Sequence, residues 1–158
     1  MVKTMKSIEL TTMCAILNEA EDKVLCINRN GRWPGWAFPG GHLEFNECFY
    51  QCGLREIEEE TGVKLSSSTF KGIVNIFNTE TLDRHIIMNY LAHYSTGNIK
   101  RKCNEGEISW ISRSNLANIS LAEGMELRLQ IFFEPGIKEV YIEWDETRGY
   151  TKVEIFDM

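Results

Sequence analysis

The side chains with the clearest capacity for chemistry are Glu56, Glu59 and Glu60, within the stretch Gly41 to Val63, GHLEFNECFYQCGLREIEEETGV. Clustered carboxylate oxygens are hard ligands that suit Mg²⁺ or Mn²⁺, ions that also bind phosphate oxygens. An EIEEE run by itself is commonly a solvated acidic face. Here it comes with Gly41, Glu47, Arg55 and Gly62 at fixed offsets and with apolar Ile57 and Val63, and that conjunction points to a built site.

Such a site needs a rigid element to carry it. The segment from about Asn46 to Thr61 has no proline, and Tyr50, Leu54, Ile57 and Thr61 recur at helical spacing, which predicts a helix with that stripe against the core. Asn46 is the expected N-cap and Gly62 the left-handed stop. At about 100° per residue, Glu56, Glu59 and Glu60 share one arc while Glu58 points to the far side. Cys52 and Gly53 are small and would let the helix sit close to a sheet. Like charges at i,i+3 and i,i+4, gathered near a helix C-terminus, cost a few tenths to about 1 kcal/mol each. A bound divalent cation reverses that sign.

Gly41 to Val63 resembles the complete Nudix box: glycine, five residues, Glu, seven residues, Arg-Glu, an apolar residue, any residue, Glu-Glu, any residue, Gly and an apolar residue. The preceding WAFPG, Trp36 to Gly40, is similar to the strand and turn that lead into the box in MutT-type members. The resemblance implies an α/β fold, an α/β/α sandwich with a mixed central sheet. It also implies hydrolysis of a nucleoside diphosphate linked to another group, so that a triphosphate yields a monophosphate and pyrophosphate. Carried over by position, it makes Glu56, Glu59 and Glu60 ligands of Mg²⁺, with Mn²⁺ as substitute, and adds the backbone carbonyl of Gly40. Arg55 would orient the carboxylates through a bidentate contact to Glu47 or Glu56. Gly41, Glu47 and Gly62 take structural roles.

The same resemblance implies a general base that is either a box glutamate or a downstream one, with Glu56 and Glu105 as the candidates. Glu105 lies in CNEGEISW, Cys103 to Trp110, which resembles the acidic loop and strand after the central hairpin of MutT-type 8-oxo-dGTP diphosphatases. Glu107, two residues on, reads as the outward first residue of the strand EISWI. LAEGMELRL, Leu121 to Leu129, resembles the start of the last helix in a Gram-positive branch assigned to 8-oxo-dGTP hydrolysis, and Glu123 would supply an acid to a purine edge. Leu121 and Ala122 stand where better-characterised relatives carry tryptophan, and His42 where several carry lysine. The expected substrate is a small nucleotide, 8-oxo-dGTP or a related oxidised purine triphosphate. ADP-ribose, other nucleotide sugars and dinucleoside polyphosphates are served by the same box, and a non-catalytic nucleotide-sensing module is the reading from another class.

The 158 residues are 43% hydrophobic, enough for one well-buried domain, 1–158. Seventeen basic against 23 acidic residues give a charge of −6 with no basic run, which argues against stable nucleic-acid binding. Metal ions with Arg29 or Arg55 would then neutralise the phosphates. The five cysteines follow no disulfide spacing and read as reduced thiols. MVKTMKSIEL lacks a signal-like apolar run and no stretch suits a membrane span, so a cytoplasmic protein is expected.

Along the chain, strands are expected at Ile8 to Leu17, Lys23 to Asn28, Phe70 to Phe77, Ile86 to Tyr94 and Glu107 to Ile111. Asn28 to Trp36 reads as a loop from its Gly and Pro. Ser112 to Asn118 suggests a short helix and Glu123 to Phe133 a longer one with Met125, Leu129, Phe132 and Phe133 toward the core. Ile137 to Trp144 and Tyr150 to Phe156 form a hairpin that finishes the sheet or makes a homodimer contact. Candidates for substrate binding are Arg29, Trp33, Trp36, Asn75, Phe77 and Glu123.

Overall fold

Strand β1, Ile8–Leu17, is buried from Thr11 onward on both of its faces, which places it in the middle of a sheet covered on two sides. The computed structural model describes residues 4–157; the first three residues and Met158, included in the single-domain expectation, lie outside the described residues. The other strands are β2 (Lys23–Arg29), β3 (Gly35–Ala37), β4 (Gly40–His42), β5 (Thr69–Asn78), β6 (Arg84–His93), β7 (Gly106–Ser112), β8 (Ile137–Asp145) and β9 (Gly149–Asp157). They join in one nine-stranded sheet of order β3-β2-β1-β6-β5-β8-β9, with β4 paired to β1 and β7 to β2. β1–β6 and β5–β8 are parallel and the remaining ladders antiparallel, so the sheet is mixed as expected.

Among the described residues the two helices are α1 (Phe49–Thr61) and α2 (Met125–Phe133), with a 3-10 turn at Arg113–Asn118. Alternation along β1 divides the core. Cys14 and Ile16 join Ile57 of α1, Val63 and Tyr90, whereas Met13, Ala15 and Leu17 join Met125, Ile131 and Phe132 of α2. Helices therefore cover both faces, and the α/β sandwich stands. The terminal hairpin finishes the sheet, β8 adding to β5 and β9 forming the edge.

One edge of β1 changes partner along its length. Thr11, Thr12 and Met13 pair with His42, Gly41 and Gly40, while Leu17 pairs with Val24 of β2. A Cβ on Gly40 would lie 2.0 Å from the Thr12 carbonyl oxygen, so only glycine lets β4 lie this close. This short insertion is what sets the segment ahead of α1 against the centre of the sheet.

Three expectations are corrected. Asn46 does not cap α1: Cys48 is the N-cap, with its N–H donated to the Gln51 side-chain oxygen at 3.1 Å. Asn46 instead sits in a turn whose end is held by the Glu44 N–H donating to Glu47 Oε1 at 2.8 Å. The buried stripe of α1 is Cys52, Gly53, Ile57 and Thr61, and Tyr50 is exposed, because the helix rotates Cys52 rather than Tyr50 toward β1 and β4. Asn28 to Trp36 is not all loop, since Gly35 to Ala37 pair with Arg29 to Ile27 as β3. Gly62 ends α1 in the left-handed region at φ 79°, as expected.

Candidate active site on the carboxylate face of α1

Arg55 is the hub of the acidic face. Its Nε and Nη2 donate to the two oxygens of Glu47 at 2.9 and 2.6 Å, a bidentate fork. Nη1 turns the other way and donates to Glu56 Oε1 at 2.7 Å and Glu59 Oε2 at 3.2 Å. A further bond from Nη2 reaches the His42 carbonyl at 3.0 Å and ties the helix to β4. The hydrogen bond from Arg55 draws the Glu47 carboxyl down to about 2, and the same contact with Glu47 holds the guanidinium charged well above its ordinary range. Both of the partners offered by the sequence for Arg55 are therefore engaged, Glu47 by the fork and Glu56 singly.

Glu60 is held differently. Its Oε2 accepts the Gly40 N–H at 3.0 Å. Pairing of β4 to β1 uses the residues on either side, Cys14 N–H to the Pro39 carbonyl and Leu43 N–H to the Leu10 carbonyl, so the polar groups of Gly40 point away from β1. The Gly40 carbonyl shares that outward edge with the N–H that meets Glu60. Burial raises the Glu60 carboxyl to about 8, and the charges of Glu105 and Glu56 push in the same direction. A carboxyl raised in the folded state contributes stability below its ordinary value of 4.5 that is lost as pH rises through about 8. Cation binding at these oxygens removes that penalty.

Glu56 and Gly41 fit each other. A Cβ at Gly41 would fall 2.2 Å from the Glu56 carboxyl carbon, so the glycine leaves the cradle in which that carboxylate rests. Glu58 points away, exposed, and pairs with Lys64 at 3.5 Å. Glu105 meets Arg29 at 3.1 Å, and its carbonyl accepts the Asn30 N–H at 3.0 Å. Glu107 is the exposed residue after Gly106 in β7, paired with Asn28. Helix α1, strand β4, the end of β2 and the turn before β7 thus converge on one acidic patch.

Among the described residues no three His, Cys, Asp or Glu side chains stand in a closed metal-holding arrangement. Glu56 and Glu59 each give one oxygen to Arg55, and Glu60 gives one to Gly40. The second oxygen of each takes no hydrogen bond among the described residues. Three orienting bonds and three spare carboxylate oxygens make a donor set that fits a hard divalent cation.

The substrate-binding candidates separate. Arg29 is at the patch, paired with Glu105. The Trp36 backbone bonds with Ser120 and Ala122, and its ring leans on the core under α2. Trp33 lies edge-on to Trp144 at 5.8 Å, with Arg32 over its ring at 5.5 Å. Glu123 is exposed just before α2. Phe77 stacks under Arg84 at 5.0 Å, on the face of β5 opposite Val74, and so is not brought to Glu123. Asn75 shares that face, bonded to Glu139 at 2.9 Å and to Arg84 at 2.6 Å. The Leu127 to Leu129 segment holds a charge that the apolar pattern hid: Arg128, whose Nε is buried with no hydrogen-bond partner. The signal for it was a lone cation inside the stripe of Met125, Leu129 and Phe132.

Cys14 and Cys26 are buried thiols pushed up to about 12 by desolvation, and all five cysteines are free. No helix among the described residues is long and apolar enough to cross a membrane.

A family model described as NUDIX domain matches residues 9–130. The Bacillus subtilis (strain 168) "Uncharacterized Nudix hydrolase YvcI" is 26% identical over 124 residues, 76% of each chain. An "8-oxo-dGTP diphosphatase" of Proteus vulgaris is 38% identical over 55 residues, covering 35% of this chain and 46% of that protein. The crystal structure of the mutator MutT protein from Bacillus halodurans superposes with a TM-score of 0.80 at 20% identity, over 93% of this chain and 97% of that one, a likeness of fold.

Proposed function

The chain belongs to the Nudix family, and we propose that it is a divalent-metal-dependent pyrophosphohydrolase of nucleoside triphosphates, with 8-oxo-dGTP or a related oxidised purine nucleotide as substrate. The observation that carries this reading is the arrangement of Arg55 and Gly40, which fix one oxygen each of Glu56, Glu59 and Glu60 and leave the others free. The partial relative that hydrolyses 8-oxo-dGTP supports the choice of substrate.

Glu56, Glu59 and Glu60, with Glu105 and the Gly40 carbonyl, are the residues to hold Mg²⁺ or Mn²⁺. The bound ion supplies charge neutralisation for the diphosphate and a more acidic water. Arg55 keeps the carboxylates in register without meeting the phosphates, because its donors are committed to Glu47, Glu56, Glu59 and His42. Glu105 takes the proton from the attacking water, with Glu56 as the other candidate; Arg29 holds Glu105 in place at 3.1 Å. Positioning and charge account for most of the rate, since phosphoryl chemistry offers the protein little covalent work. The charge of −6 supports a small nucleotide over a polymer.

The test is a product-resolved panel of 8-oxo-dGTP, dGTP, other triphosphates, ADP-ribose and dinucleoside polyphosphates with Mg²⁺. The oxidised triphosphate should show the highest kcat/KM. Equal values for 8-oxo-dGTP and dGTP would remove the oxidised-base assignment and leave the hydrolase.

A further inference from the structure

The edges of the sheet are finished differently at its two ends. Strand β3 is short, and its Trp36 backbone bonds with Ser120 and Ala122, so that edge is covered. The side of β7 away from β2 meets the segment 101–103, with the Ile108 N–H donated to the Arg101 carbonyl at 2.9 Å. Strand β9 has β8 on one side and no strand on the other among the described residues. An edge of unpaired N–H and C=O groups is a template for a further strand. This one is also apolar: of the nine large hydrophobic side chains exposed among the described residues, Val153, Ile155 and Phe156 all lie on β9.

The two faces of β9 differ in kind. Val153 pairs with Ile142 and Ile155 with Val140, both fully buried in the layer that α2 covers. Paired residues share a face, so Val153 and Ile155, 38% and 46% exposed, carry that layer beyond its cover. On the other face Lys152 and Glu154 pair at 3.2 Å, with the Lys152 ammonium over the Tyr141 ring. Charges guard an edge when a second copy meets them with the same sign. Here Lys-Val-Glu carries opposite signs two residues apart, which makes the strand complementary to its own antiparallel copy.

We propose that β9 pairs with β9 of a second copy of this chain, antiparallel about a twofold axis at Val153. Under such an axis residue i meets j and j meets i, and opposed residues share a face, so the ladder is centred on one residue. With Val153 at the centre, Lys152 stands opposite the second copy's Glu154, and Glu154 opposite its Lys152. On the apolar face Val153 meets its own copy and Ile155 meets Thr151. Centring on Lys152 or Glu154 instead opposes like charges, which is destabilising. The β8–β9 register skips Thr151, a bulge that ends the regular ladder there and keeps the contact short. A contact of this size belongs to the weak, exchanging class of interfaces. Since β9 is the far end of the sheet from β2 and β3, pairing leaves both carboxylate patches open, and the proposal stands apart from the hydrolase reading.

The test is sedimentation equilibrium of the full chain at low salt. At about 200 μM the parent protein should sediment well above the monomer mass and approach twice that mass as concentration rises. Lys152→Glu and Glu154→Lys each set like charges opposite one another at two places and should weaken association at least about tenfold. Both side chains lie at the surface, so each variant should keep the parent's circular dichroism and its turnover. An equimolar mixture of the two variants restores opposite charges at every facing position and should associate as the parent does. So should the double variant Lys152→Glu/Glu154→Lys. A parent that stays monomeric, single variants that associate like the parent, or a mixture that stays monomeric would each overturn the pairing.

Discussion

Arg55 is the residue on which the acidic face turns, because one guanidinium meets three carboxylates and a β4 carbonyl. Lysine could supply the charge but not the fork to Glu47 together with the reach to Glu56. We expect Arg55→Lys to lower kcat at least tenfold at saturating Mg²⁺ while the circular dichroism of the fold is unchanged, measured by steady-state kinetics. Activity within twofold would mean that the carboxylates need no such orientation. Individual roles were legible here where spacing is rigid: helical geometry alone separated Glu58 from Glu56, Glu59 and Glu60, and Glu58 does pair outward with Lys64. Arg128 was legible only as a lone cation within an apolar stripe; whether its head reaches solvent or stays below the helix was not.

At the scale of elements, α1 is a lever that must be anchored before it can present anything. Ile57 is fully buried between α1 and β1, beside Val63 and Cys14. Ile57→Ala removes packing from a filled interior and should cost about 2–5 kcal/mol, read by urea denaturation. A loss under 1 kcal/mol would show that the helix is held chiefly by its polar contacts. The strands with long β-branched or aromatic runs were found in the sequence nearly to their ends: β1 matches its expected bounds, and β5, β6 and β8 differ by one or two residues. The three-residue strand β4 was not, and β3 was reached only through the resemblance of WAFPG, because GWA and GGH carry turn residues and are strands only through the partners they meet. The start of α1 was misplaced for a related reason. Asn46 is a good cap by type, but the reach of Glu47 to Arg55 holds it in a turn before the helix.

For the whole molecule, the sheet does two things at once: β1 splits its edge to seat β4 beside α1, while the opposite face receives α2. The carboxylate patch and the start of α2 thus lie on elements joined by Arg29, Gly35 and the segment before α2. The fold class followed from one box through the family that the box resembles. The substrate did not, because the candidate binding residues Arg29, Trp33, Trp36, Phe77 and Glu123 are scattered along the chain and whether they meet is a tertiary fact. With a charge of −6 and Arg55 committed to carboxylates, the protein has few cations of its own to offer a triphosphate. The most direct test is therefore hydrolysis of 8-oxo-dGTP and dGTP with Mg²⁺ or with EDTA, the products separated by chromatography. The account predicts nucleoside monophosphate and pyrophosphate with Mg²⁺ and loss of turnover with EDTA, restored on returning the ion. Equal turnover in EDTA, or orthophosphate in place of pyrophosphate, would contradict it.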